Sequence, residues 1–165
     1  MEDLLLAFYN KIVIVGLPGS GKTHLVDMLD LSNDRTVIHT DDFILRNSFE
    51  QTLYDMYPSV LAAPRHIVEG VQGFRLLRKG MQKIPKYNYQ ADLVIMAHCS
   101  KETRLERYRK REGKEYDPSL DPVLGKVWND YITLVSLSDL PKPRIVYWNT
   151  ETGEIKDHEW YERTN

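Results

Sequence analysis

Cysteine is nearly absent from this 165-residue chain: Cys99 stands alone, so no internal disulfide can form. That count suits a reducing compartment, and a cytoplasmic location is expected. Cys99 closes an apolar run and reads as a buried, inert thiol. Long apolar runs are missing too. Nothing approaches the roughly 20 residues needed to cross a bilayer. The opening Leu4-Leu5-Leu6-Ala7-Phe8-Tyr9 follows Glu2 and Asp3, where a secretory leader carries basic residues. It reads as a short helix or strand packed on the core, and no membrane association is expected. Basic excess is lacking: 22 Lys+Arg against 24 Asp+Glu give a net charge of -2. Duplex nucleic-acid binders are usually strongly basic, so only a small local basic patch remains open. His39, His66 and His98 lack metal-ligand spacing and read as structural. There is no internal repeat and no low-complexity segment.

What is present is ordinary for one soluble domain over 1–165, except for one run. Gly16-Leu17-Pro18-Gly19-Ser20-Gly21-Lys22-Thr23 fits G-x-x-x-x-G-K-[ST], the phosphate-binding P-loop. Glycines let such a loop curl its N–H groups around a phosphate chain. A helix starting near His24 adds its positive N-terminus. Lys22 reaches the β- and γ-phosphates, and the Thr23 hydroxyl binds Mg²⁺. The context agrees. Lys11–Val15 is a β-branched strand before the loop, and Leu25, Met28 and Leu29 share one helical face after it.

Further apolar runs predict strands at Thr36–His39, His66–Val68, Asp92–Ala97 and Arg144–Trp148. Helices are predicted at Asp42–Met56, at Lys101–Glu112, and from Pro122 along Leu124, Val127, Trp128, Tyr131, Ile132 and Val135. Alternating strands and helices mean an α/β fold with a mainly parallel sheet. Ligands in such sheets lie beyond the carboxyl ends of the strands.

Those ends carry the chemistry. Thr40-Asp41-Asp42-Phe43 follows the second strand. Asp41 suits a general base that accepts an acceptor hydroxyl's proton, or a metal ligand. Either Asp41 or Asp42 could instead cap the next helix, and Asp42 could also bind substrate or hold the metal. Glu69 ends the third strand as a metal-holding acid does, with Gly70 allowing close backbone approach. After the fourth strand, Arg104, Arg107 and Arg111 share one helical arc. They read as a lid over about 101–122 that closes on the transferring phosphoryl group, or as a solvated charged face. Gly113 would be its hinge. Pro85-Lys86-Tyr87-Asn88-Tyr89-Gln90 reads as an aromatic loop, either stacking on an acceptor base or packed on the surface. Thr152-Gly153 predicts a turn in a short acidic hairpin.

The P-loop, Asp41-Asp42-Phe43, Val68-Glu69-Gly70 and Thr103-Arg104-Leu105-Glu106-Arg107, in that order, resemble the uridine kinase and nicotinamide riboside kinase group. The similarity spans about residues 11–148. It implies a three-layer fold with five strands in the order 2-3-1-4-5, ATP or another NTP with Mg²⁺, a base at Asp41, and lid arginines. The expected activity is transfer of a γ-phosphoryl group to a hydroxyl of a nucleoside-like small molecule. Polynucleotide 5′-hydroxyl kinases share the Asp-Asp-aromatic piece, so a nucleic-acid hydroxyl is the alternative. Their closely following arginine is replaced here by Ile44, with Arg46 later. A P-loop ATPase or nucleotide switch is a third reading.

Overall fold

The computed structural model describes residues 6–29, 35–43, 48–82 and 87–160. Six strands form one sheet in the order β2-β3-β1-β4-β5-β6. They are β1 (Lys11–Val15), β2 (Thr36–His39), β3 (His66–Glu69), β4 (Leu93–His98), β5 (Arg144–Asn149) and β6 (Ile155–Asp157). The first five are parallel, and β6 turns back antiparallel on β5. This is an α/β fold of the expected strand order with one extra edge strand. The acidic tail supplies that strand through the turn at Thr152-Gly153.

Both faces of the parallel strands are covered, so β1 reads Ile-Val-Ile-Val with all four residues buried. One face packs with α1 (Lys22–Met28), through Leu25 and Val26. The other carries α2 (Phe49–Ala62), α3 (Gly73–Met81) and α5 (Leu120–Leu137). The apolar stripe Leu124, Val127, Trp128, Tyr131 and Val135 faces this core, as its spacing predicts. The charged helix α4 (Lys101–Glu112) follows β4.

Several expectations need correction. The helix predicted from Asp42 to Met56 is instead a 3-10 turn, Thr40–Phe43, followed by α2 from Phe49. Ser48 caps α2 by accepting from the Gln51 N–H, so neither Asp41 nor Asp42 caps it. The helix continues through Pro58 to Ala62. Proline removes one donor, and the carbonyl four residues earlier belongs to the exposed Tyr54, within reach of water. Helix α5 opens at Leu120, two residues before Pro122. Helix α3 was not anticipated. Tyr87 and Tyr89 do not form a stacking loop: both are buried in the core. The Tyr89 hydroxyl meets His66 Nε2 at 2.8 Å, and His66 Nδ1 meets the Ala63 carbonyl, so His66 is structural as expected. Of the opening run, Leu6–Phe8 is a 3-10 turn; Leu6 and Tyr9 pack on the core while Phe8 is exposed. Leu4, Leu5, Asp30, Ile44, Arg46, Pro85 and Lys86 lie outside the described residues.

Candidate active site

β1 delivers the chain into the P-loop at Gly16, and α1 begins at Lys22. Gly21, just before it, has φ +95°, a conformation side chains with a Cβ rarely adopt. The Lys22 side chain is folded back. Its Nζ donates to the Gly16 carbonyl at 2.9 Å and to the Leu17 carbonyl at 3.0 Å. Burial pulls its pKa down to about 8. Glu69 and Asp41 oppose that shift, while Arg111 and Arg104 deepen it.

Strand pairing builds the acidic side. His39 and Glu69 are register partners on β2 and β3. His39 Nδ1 lies 2.7 Å from Glu69 Oε2, and the Thr23 hydroxyl donates to Glu69 Oε1 at 3.3 Å. Glu69 is buried at the end of β3. Its carboxylate is therefore gripped on one oxygen by a histidine and turned by the other toward the P-loop threonine. His39 was expected to be merely structural; its place as the last residue of β2 was the available signal.

Gly70 fixes the adjoining turn. Its φ is +138°, and an added Cβ would fall 1.9 Å from Thr40 Oγ1. Gly70→Ala is expected to destabilise the protein by about 2–4 kcal/mol, from strain plus a clash against buried Thr40. A thermal melt within about 1 °C of the parent would contradict this.

A cavity of about 560 Å³ opens over these groups. It brings together Lys22, Thr23, Asp41, Glu69, Arg107 and Arg111. Pro18, Gly19, Gly21 and His24 also line it. Leu17 and Ser20 face a different cavity on the other side of the loop. Asp41 is exposed in the 3-10 turn; its neighbour Asp42 is not on the cavity wall.

The three arginines do not line one wall. Arg111 lines the cavity, with its Nε donating to Glu112 at 3.0 Å. Arg107 lines it while its Nη1 donates to Thr150 Oγ1 at 2.8 Å. Arg104 is absent from that wall. It is buried, donates through Nη2 to Asp121 Oδ2 at 2.7 Å, and lies 5.1 Å from the Tyr116 ring. Steps of three and four residues gave a shared helical arc, but Arg104 in the first turn is enclosed by α5 and by the loop before it. That loop, 113–119, is thus tied down through Tyr116, whose hydroxyl donates to Asp121. Gly113 caps α4 with φ +69°.

The β5–β6 turn braces the P-loop and α4. Thr150 Oγ1 donates to the Ser20 carbonyl at 2.7 Å. The Glu151 carboxylate accepts from the Thr103 hydroxyl at 2.7 Å. Thr150 follows the fifth strand, where the strand-end rule points, although the sequence reading stopped at Trp148. Cys99 also needs correction. It is half-buried, 3.8 Å from the Gly19 carbonyl and 3.7 Å from Arg107 Nη1, beside the P-loop rather than in the core. His98 is exposed at the end of β4.

Mg²⁺ takes one or two protein carboxylates together with phosphate oxygens and water. The Thr23–Glu69 pair fits that donor set, and Asp41 faces the same cavity. Among the described residues, no group of three or more His, Cys, Asp or Glu could hold a metal alone. None of the described helices is long and apolar enough to cross a membrane.

No family model matches this chain, and no curated protein matches it. Solved structures do. Deoxyadenosine kinase from M. mycoides, with the products dCMP and a flexible dCDP bound, superposes with a TM-score of 0.51. It is 15% identical over 85% of this chain and 89% of that one. The YorR protein from Bacillus subtilis, in complex with phosphorylated GDP, has a TM-score of 0.45 at 15% identity over 86% of each chain. The deoxyadenosine kinase with bound dCTP gives 0.44 at 16% identity, over 86% of this chain and 90% of that one. The first of these likenesses shows a shared α/β fold.

Proposed function

We propose that this chain is a kinase that moves the γ-phosphoryl group of ATP, or another NTP, to a hydroxyl of a nucleoside-like small molecule. One observation carries the reading. Asp41 and Glu69, from two different strand ends, share a single cavity with Lys22 and Thr23. A bare nucleotide switch has no use for the exposed Asp41 opposite its phosphates. A fold shared with deoxyadenosine kinase agrees with this reading.

In this mechanism the P-loop N–H groups hold the β- and γ-phosphates. Lys22 exchanges its two carbonyl partners for phosphate oxygens. Thr23 and Glu69 hold Mg²⁺, which when bound neutralises charge on the phosphate oxygens. His39 keeps the Glu69 carboxylate turned toward Thr23. Asp41 aligns the acceptor hydroxyl and takes its proton. Arg107 and Arg111 lie on the phosphate side and balance the charge that develops during transfer. Arg104 has no place in this step. We treat residues 1–165 as one domain.

Labelled ATP offered with a nucleoside panel, and separately with 5′-hydroxyl DNA, tests the proposal. Label should pass to at least one nucleoside. Label on DNA alone would replace the acceptor class. Hydrolysis that no acceptor accelerates would leave an ATPase.

A further inference from the structure

The cavity that holds Lys22 and Asp41 is mostly polar. Of the described residues that line it, Pro18, Val71 and Tyr108 bring apolar side chains, and the rest are glycine, polar or charged. Phosphates gain nothing from an apolar wall, which suits an uncharged part of a bound molecule instead.

The placement of Val71 and Tyr108 points to that part. The sheet carries α1 on one face and α2, α3 and α5 on the other. Phosphates belong with the P-loop and the first residues of α1, Lys22 and Thr23. Val71 lies toward the other face: it joins β3 to α3 and packs against the core beneath α3 and α5. Tyr108 leans the same way. It stands one turn beyond Arg104 on α4, and its ring meets the Tyr116 ring edge to face at 4.9 Å. Tyr116 is itself fixed, because its hydroxyl donates to Asp121 on α5. Arg104 donates to the same carboxylate at 2.7 Å. Tyr108 is therefore a held, half-buried ring on the cavity wall. It also borders the phosphate site. The Arg111 guanidinium lies 5.8 Å from its ring, and the Arg111 charge helps to lower the Lys22 pKa.

We infer that Tyr108 is the residue against which the ring of the acceptor packs, a planar, nucleobase-like ring whose second apolar contact is Val71, while the acceptor hydroxyl reaches Asp41. This inference rests on the kinase reading above. A nucleoside has the required form. Its sugar separates the ring from the reacting hydroxyl, as the cavity separates Tyr108 on α4 from Asp41 after β2. Stacking on an aromatic side chain needs only a flat face, so Tyr108 favours any base over a bare sugar without choosing one base.

Calorimetry on the full chain, with a non-hydrolysable ATP analogue present, would use uridine, cytidine, adenosine and guanosine. It would add methyl β-D-ribofuranoside, which keeps the sugar hydroxyls and has no base. At least one nucleoside should bind, at least tenfold more tightly than the furanoside, the scale of one base–aromatic stack. Tyr108→Leu keeps apolar bulk against Tyr116 and loses the aromatic face. It should weaken that nucleoside at least tenfold while the ATP analogue, titrated alone, stays within twofold. Tyr108→Phe restores the ring and should recover nucleoside affinity to within threefold of wild type. Unchanged nucleoside affinity in Tyr108→Leu, or a loss in Tyr108→Phe as large as in Tyr108→Leu, would overturn the inference. So would a furanoside as tight as the nucleoside, a comparison that needs no variant. Failure of the kinase reading has a different signature: the ATP analogue, or every nucleoside beside it, would fail to bind the wild type.

Discussion

Lys22→Met is expected to abolish transfer and, in the ligand-free protein, to raise stability. The loss of activity should be about 10³-fold, the scale for removing one charge-stabilising donor from a transition state. The gain in stability follows from the other half of the geometry. The Lys22 ammonium is buried against two carbonyls with no carboxylate bonded to it, and its pKa falls to about 8 from an ordinary 10.5. Folding therefore works against its charge. Methionine removes that cost at the loss of two hydrogen bonds, for a net gain of about 1–2 kcal/mol at pH 7. Between pH 8 and 10.5 the unfolded chain holds a proton that the folded chain has shed, so wild-type stability rises with pH across this window. Below pH 8 both states are protonated and the penalty is complete. The advantage of Lys22→Met should thus be largest at pH 7 and shrink toward pH 10.5. Thermal melts at pH 7 and pH 10 decide it; an unchanged melt at pH 7 would show that the buried charge costs nothing.

Asp41→Asn should lower transfer by about 10²–10⁴-fold, the usual scale for a lost general base, while stability stays within about 0.5 kcal/mol because the residue is exposed. The adjacent Asp42→Asn is the control. Asp42 is off the cavity wall, so its variant should turn over within threefold of wild type. Single-turnover measurements with saturating nucleotide separate transfer from binding. Near-normal transfer in Asp41→Asn would remove it as the base, and equal losses in both variants would point to a disturbed turn instead.

The five parallel strands were legible because β1, β3 and β4, largely buried, are written as apolar runs, and β2 and β5 carry Val37-Ile38 and Ile145-Val146 at their centres; strand ends moved by no more than a residue. Helix α4 was legible from Lys101 to Glu112, bounded by a Ser100 cap and Gly113. Helix α3 was not, because glycines normally argue against a helix. Here they serve packing. A Cβ at Gly80 would lie 2.2 Å from the Tyr89 carbonyl, and one at Gly73 2.8 Å from Val15. The same limit applied at the candidate site. Strand ends pointed to Asp41 and Glu69 through local sequence. What Arg104, His39 and Tyr89 touch depends on partners 17, 30 and 23 residues away, which no local pattern encodes.

Thr150 gives the P-loop an order of assembly. Its hydroxyl closes on the Ser20 carbonyl across 130 residues of chain. Contacts so distant in sequence form late, after long segments have been brought together. On a ribosome, the loop at 16–23 is made well before the residue that braces it and tethers Arg107. A chain released before residue 150 would carry every residue of the phosphate-binding motif and lack the brace that holds it in shape.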